Sequence, residues 1–385
     1  MKPVLSMPRV PVRNAPVVLG VLSACSMALA ANPPDATALN NRGVTAAKAG
    51  RFEEAVGILQ QALALDPSDA AARTNLSGIL TDWARQREPT TTAEELVALL
   101  GEAVELNPRN GPAWAQLGEL RYFRQSDLSG AIEAWRRAVE VAPPEIARAL
   151  ADRITRAQRD QVIERGYAAL TSPHFDVRFE QASSAKVDLL TQLLEEAYTE
   201  LSQELGVGPQ RLTVIIYTGR DLHRVATQRD WAIGFYDGRL RLRVDELTAP
   251  VLPDLVRHEL AHAFLQFRFG RHLPVWVHEG YAQLHESPHP QPLEIIRIEE
   301  GIRSRTSWIP LKWLDRRFQQ PSGGDDVLRA YAESRLVMRQ LIDRHGLDAV
   351  KRFLQLLGQG TAVEAAFDQA FAPSRWSRAD QGLFD

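Results

Sequence analysis

Cysteine is almost missing from this chain, since Cys25 is the only one among its 385 residues. Neither an internal disulfide nor a zinc site built on cysteines can therefore form. An excess of one charge is also missing: 45 basic and 48 acidic residues leave a net charge of −3, which argues against nucleic acid as the main partner. With 45% apolar and 24% charged residues, the composition excludes a collagen, a disordered chain and a disulfide scaffold.

Residues 1–30 have the pattern of an export signal. Lys2, Arg9 and Arg13 precede an apolar run over 15–22, and small residues follow. This order is typical of a secretory signal peptide. The apolar stretch is shorter than the roughly 20 residues that span a bilayer, which disfavours an uncleaved anchor. The sequence predicts an exported bacterial protein, located in the periplasm or at the outer membrane.

Two processing sites compete within this signal. Ala28–Ala30 fits an ordinary signal peptidase, which would cleave before Ala31. Leu22–Cys25 resembles a bacterial lipobox, in which the thiol of Cys25 carries the lipid. The second alternative implies attachment of the protein to a membrane surface through the lipid.

Residues 36–143 contain a pattern of small and apolar residues, closed by proline, that occurs three times. The small residues let two helices approach closely, and the proline ends the second helix. The pattern resembles the tetratricopeptide repeat, which implies an all-α solenoid with a surface for a protein partner. A spacer or an oligomerisation surface is the alternative. The positions that carry the resemblance are Leu39, Gly43, Ala55, Leu59, Ala62 and Pro67, then Leu76, Ser77, Ala103 and Pro108, then Trp114, Leu117, Gly118, Ala131, Trp135, Ala138 and Pro143.

A second domain is predicted after the repeats. The helical pattern continues through 144–171 as a connecting or capping helix, and the new domain spans 172–372, followed by a tail at 373–385. Alternating residues predict strands at 174–180 and 211–218 and a hairpin at 234–243, with helices between and after them. We therefore expect an α+β domain that ends in a helical C-terminal lobe.

A helix predicted at 250–269 contains the sequence His-Glu-Leu-Ala-His. His258 and His262 lie one turn apart on the same face, so both imidazoles can bind one metal ion. Glu259 projects about 100° around the helix, within reach of a water at the metal but not as a ligand. The apolar flanks predict a buried helix. Burial of histidine and glutamate side chains costs free energy unless they have binding partners.

A third ligand candidate follows on a new helix after Leu273-Pro274. There Glu279 stands in the segment Trp-Val-His-Glu-Gly-Tyr-Ala. Together, the two motifs are similar to those of the gluzincin metallopeptidases, particularly their peptidase-MA-like members. This resemblance implies a zincin-like fold, one Zn²⁺ held by His258, His262 and Glu279, and Glu259 as general base for peptide hydrolysis.

The resemblance also suggests minor roles. Tyr331 of the C-terminal lobe corresponds to a tyrosine that stabilises the oxyanion in family members, with a core tyrosine as the alternative. His278 replaces the asparagine of many relatives and is either a packing residue, a donor near the metal or a competing ligand. The strand 239–244 would border the cleft, where its arginines favour acidic substrates unless they face solvent. Glu286 is expected at the surface, with a salt bridge or the orientation of a metal ligand as the alternative.

Two functions remain open from the sequence. The first is an exported zinc metallopeptidase that acts on a peptide or protein substrate, with the repeats binding a protein partner. The alternative is a catalytically silent repeat scaffold with a structural metal domain. A zinc enzyme acting on a non-peptide bond is a third possibility that no residue favours.

Overall fold

The structure is a computed structural model, and it describes residues 35–88, 91–180, 184–206, 208–217, 234–243, 251–270, 272–286, 300–301, 304, 308–320 and 324–381. The predicted signal peptide, both of its processing sites and Cys25 lie outside these residues. None of the described helices combines the length and apolarity that a membrane crossing requires.

Seven helices form the N-terminal half of the described chain. Side chains of Asp69, Thr92 and Asp127 accept hydrogen bonds from N–H groups of the first turn and so begin three of the helices. Predicted small positions such as Ala55 and Ala131 are fully buried between helices. The helices are α1 (Ala36–Lys48), α2 (Phe52–Leu65), α3 (Ala70–Arg87), α4 (Ala93–Leu106), α5 (Gly111–Phe123), α6 (Leu128–Val139) and α7 (Pro144–Ile163).

A mixed five-stranded sheet follows, in the order β1-β2-β3-β5-β4. Its central strands β2, β3 and β5 are parallel to one another, while β1 and β4 run antiparallel at the edges. Helix α8 (Ser184–Leu205) connects β2 to β3 and packs on one face of the sheet. The strands are β1 (Ala168–Thr171), β2 (Phe175–Phe179), β3 (Leu212–Tyr217), β4 (Gly234–Tyr236) and β5 (Leu240–Arg243).

Both faces of β3 are covered, which explains its continuous apolar sequence. Val214 and Ile216 belong to the large core shared with α8 and the C-terminal helices. Ile215 and Tyr217 face the other way and pack with Ile163 of α7. The seventh helix of the repeat region is therefore also a covering layer of the sheet.

The remaining helices build the C-terminal lobe, and most of them contribute to the large core. Helix α9 is the predicted motif helix and ends at Gly270, whose positive φ of 88° suits glycine. The helices are α9 (Leu252–Phe269), α10 (Val275–Ala282), α11 (Leu311–Gln319), α12 (Gly324–His345), α13 (Leu347–Gly358), α14 (Val363–Ala370) and α15 (Trp376–Ala379).

The secondary structure differs from the sequence prediction on both sides of the predicted second domain. The sheet begins at Ala168, inside the segment 144–171 predicted as helix, because β1 gains the hydrogen bonds of β2. The predicted tail 373–385 contains α15, and its Trp376 and Ala379 are buried in the main core. We therefore place β1 and α15, but not α7, with the second domain.

The prediction for the arginines of strand 239–244 is wrong for Arg239 and Arg241. Strand β5 is internal, between β3 and β4, so β4 forms this edge of the described sheet. Arg239 and Arg241 have no exposed side-chain area. They point to α7, where Arg239 binds Glu164 through two contacts of 2.8 Å and Arg241 binds Asp160 at 2.8 and 3.1 Å. They join the two halves of the protein.

Candidate metal site

Helices α9 and α10 bring the three predicted ligands together. Nε2 of His258 lies 3.2 Å from Nε2 of His262. Each of these nitrogens lies 3.5 Å from the carboxylate oxygen Oε2 of Glu279. The two histidines are partly buried and Glu279 is buried, so the three groups face one another in a sheltered place.

These distances suit a tetrahedral metal ion. Zinc binds imidazole nitrogen and carboxylate oxygen at about 2.0–2.2 Å, so two ligand atoms of a tetrahedral site lie about 3.4 Å apart. The separations of 3.2, 3.5 and 3.5 Å are close to that value. A metal ion held by these three groups would keep one tetrahedral position for water or substrate.

The position of Glu279 depends on the close packing of α10 against α12. A Cβ atom added to Gly280 would lie 2.4 Å from the backbone oxygen of Ser334, which is too short for any real contact. Only glycine therefore permits this approach. The backbone N–H of Trp276 also donates to Asp315 of α11 at 3.0 Å, which anchors the first turn of α10.

Glu286 orients the first histidine, contrary to the expectation that it lies at the surface. Its Oε1 atom lies 2.6 Å from Nδ1 of His258, the ring nitrogen that faces away from the ligand cluster. A carboxylate at this position fixes the ring and leaves Nε2 to bind a metal ion. The sequence offered this role only as the alternative to a surface position, because Glu286 follows a 3₁₀ turn, Gln283–His285, for which no periodic pattern exists.

The carboxylates make the cluster electrostatically negative. Burial alone would lower the pKa of His258, but hydrogen bonds to Glu279 and Glu286 raise it to about 10. Burial would raise the pKa of Glu279, but the two histidines hold it far below its usual value. Carboxylates that favour an imidazolium also favour a divalent cation at the same place.

Glu259 lies beside the cluster without belonging to it. It is 6% exposed and follows His258 on α9, so its side chain projects to one side of the two ligand histidines. A Cβ atom on Gly234 of β4 would lie 3.2 Å from Cγ of Glu259. The absence of a side chain at Gly234 therefore leaves room for this carboxylate next to the edge strand.

The two minor candidates lie in different surroundings. The ring of His278 lies 5.6 Å from that of His262, and its pKa is lowered to about 4 by burial and by His262, so it is neutral near pH 7. Tyr331 packs edge-on against Phe318 at 5.0 Å between ring centroids, one helical turn before Ser334 on α12. A catalytic role for Tyr331 stays a prediction.

Comparison with known families bears on the N-terminal helices. Residues 36–69 match the tetratricopeptide repeat. The match covers α1 and α2 and extends to Asp69, and it suggests interaction with protein partners in general. The pairs α3/α4 and α5/α6 continue the same helical arrangement. No curated protein matches the chain.

Proposed function

We propose that this protein is a zinc-dependent peptidase of gluzincin type with a helical repeat region that binds a protein partner. The observation that carries the proposal is the spacing of His258, His262 and Glu279, with Glu259 beside them. Two imidazole nitrogens and a carboxylate oxygen that converge in a sheltered place form a donor set that zinc binds.

Each residue has a distinct task in the proposed reaction. Zinc, when bound by the three ligands, supplies Lewis-acid polarisation of the scissile carbonyl and acidifies water. Glu259 takes the proton of the attacking water and delivers it to the leaving amine. Glu286 holds the ring of His258, and strand β4 forms the adjacent wall beside Glu259.

Metal content tests the proposal directly. The chain without residues 1–30 is expected to retain about one zinc ion after dialysis, as measured by elemental mass spectrometry. His262→Ala should lose most of it, whereas His272→Ala, which changes an exposed histidine, should not. A hydrogen-bonded histidine pair without metal has the same N–N distance, so absence of zinc after adding it back would refute the site.

Replacement of Glu286 should weaken metal binding. Glu286→Ala removes the carboxylate that fixes the ring of His258, so we expect zinc affinity to fall by about 10–100-fold. Competition with a chromophoric chelator measures this change. Glu286→Gln retains an acceptor and should have a smaller effect, and an unchanged affinity in Glu286→Ala would contradict the orienting role.

A second candidate function is a repeat scaffold with a silent metal domain. The match of residues 36–69 to the tetratricopeptide repeat favours it, because such repeats bind proteins. Zinc-loaded protein that binds a partner but hydrolyses no member of a peptide library would support this function over the peptidase.

We also propose export, on the pattern of residues 1–30, with Cys25 as the lipid carrier if the lipobox is used.

A further inference from the structure

A cavity lies where the repeat region meets the metal-bearing domain. Its volume is about 540 Å³, within the range of about 300–1,000 Å³ that is typical of ligand pockets. One wall consists of α3, α4, α5 and α7, and the other includes the start of β3, the β4–β5 hairpin and the end of α9. Neither half of the protein forms this cavity alone.

The cavity lies close to the metal site along two elements. Gln266 in its wall lies four residues after His262 on α9, which is about one turn or 6 Å along the helix on nearly the same face. Tyr236 in its wall lies two residues after Gly234 on β4, on the same side of the strand as the contact with Glu259. An extended chain leaving the metal site along β4 therefore reaches the cavity.

The walls carry an excess of positive charge. Four arginines and two glutamates line the cavity, a net charge of +2. Arg85 pairs with Asp82, Arg153 with Glu119 and Arg211 with Asp176. The arginine side chains of these pairs are 42–58% exposed, so they can exchange partners at little cost.

Arg124 is the exception among these arginines. Its guanidinium donates to the backbone oxygens of Glu88 at 3.3 Å and Thr91 at 3.0 Å. No carboxylate of the described residues lies within 4.0 Å of it. Burial lowers its pKa, and the charges of Glu88 and Glu94 offset only part of this effect. A guanidinium has five N–H donors, so donors remain for an anion in the cavity.

We propose that this junction cavity binds an acidic segment of the polypeptide substrate, with Arg124 and Arg85 contacting its carboxylates. The inference rests on the proposed peptidase function only in treating the acidic segment as part of the substrate. Binding itself requires neither zinc nor hydrolysis. The repeat region then contributes directly to substrate selection, because it supplies most of the arginines.

Calorimetry with defined peptides tests this site. The probes are acetylated, amidated hexaglutamate and hexaglutamine, titrated into the full chain after metal removal with EDTA, so that glutamates cannot bind zinc. We expect hexaglutamate to bind at least about tenfold more tightly than hexaglutamine, and its affinity to fall as salt is added.

Variants locate the binding. Arg124→Gln should weaken hexaglutamate binding about tenfold, and the exposed Arg85→Gln about two- to threefold, without disturbing the fold. Arg51→Gln is the matched control, because Arg51 and Arg85 have side chains that are both 58% exposed and both pair with an acid three residues away. It should bind hexaglutamate as the unmodified protein does.

Two results would overturn the proposal: equal affinity for the two peptides, or unchanged hexaglutamate binding in both Arg124→Gln and Arg85→Gln. The outcomes are separable from those of the metal test. Zinc binding without preferential binding of hexaglutamate would support the peptidase proposal and refute this one. Preferential binding of hexaglutamate without zinc binding would support the cavity proposal and refute the peptidase proposal.

Discussion

Glu259→Gln is expected to abolish peptide hydrolysis while leaving zinc bound. Glutamine has the shape of glutamate but cannot accept the proton of the attacking water at neutral pH. A general base contributes about 10²–10⁴ to the rate, so the loss should have at least that size. The proposed ligands His258, His262 and Glu279 are unchanged, so zinc content should stay at the unmodified level.

The measurement is peptide cleavage by mass spectrometry beside zinc content for each variant. Glu200→Gln is the matched control, since Glu200 of α8 makes a 2.9 Å contact with Arg257 of α9 and is 53% exposed. This isosteric change alters the partner of Arg257, which precedes His258 but projects about 100° away from it around the helix, and it should leave the rate unchanged. Cleavage by Glu259→Gln at the unmodified rate would exclude Glu259 as the base.

The regular elements that carry the site were predictable from local patterns. The motif helix predicted at 250–269 is observed as Leu252–Phe269, and the hairpin predicted at 234–243 contains β4 and β5. Helical spacing alone places His258 and His262 on one face. The approach of Glu279 to both of them is a tertiary contact, which the sequence indicated through the similarity of its motifs to a known family.

Contacts between distant segments could not be predicted from local sequence patterns. Alternation along β5 predicts one apolar and one polar face, and a polar face is normally exposed to solvent. Here α7 covers that face and matches its arginines with acids four residues apart, Asp160 and Glu164. Neither partner is recognisable without the other, because each looks like an ordinary exposed charge in its own segment.

Short strands and turns were also beyond the local pattern. Ala168–Thr171 continues a helical composition and becomes a strand only because β2 offers it backbone partners. Glu286 acquires its role from a turn that returns the chain to His258, 28 positions earlier in the sequence.

Asp160→Asn is expected to destabilise the protein more than any surface substitution. Asp160 is fully buried and accepts from Arg239, Arg241 and the hydroxyl of Tyr122. Removal of its charge leaves buried guanidinium groups undercompensated, which typically costs about 3–5 kcal/mol of unfolding free energy. Asp82→Asn, which breaks the exposed pair with Arg85, is the matched control and should cost less than about 1 kcal/mol.

Urea denaturation at several pH values checks both the size and the cause of this effect. Burial alone would raise the pKa of Asp160, but Arg241 and Arg239 hold it below its ordinary value of 3.8. A depressed pKa stabilises the folded state fully above the unfolded value, and this contribution is lost as pH falls through the folded pKa. The difference in unfolding free energy between the unmodified protein and Asp160→Asn should therefore be largest near pH 7 and become smaller at acidic pH.

A loss of unfolding free energy no larger than that of Asp82→Asn, or a loss that is the same at acidic pH, would contradict this explanation.

The ion pairs of Asp160 and Glu164 with Arg239 and Arg241 also bear on the candidate metal site. Arg241 lies on β5 and Arg239 directly precedes it. Strand β5 pairs with β4, and Gly234 of β4 lies against Glu259. We therefore expect these ion pairs to hold β5, and through it β4, in place beside Glu259.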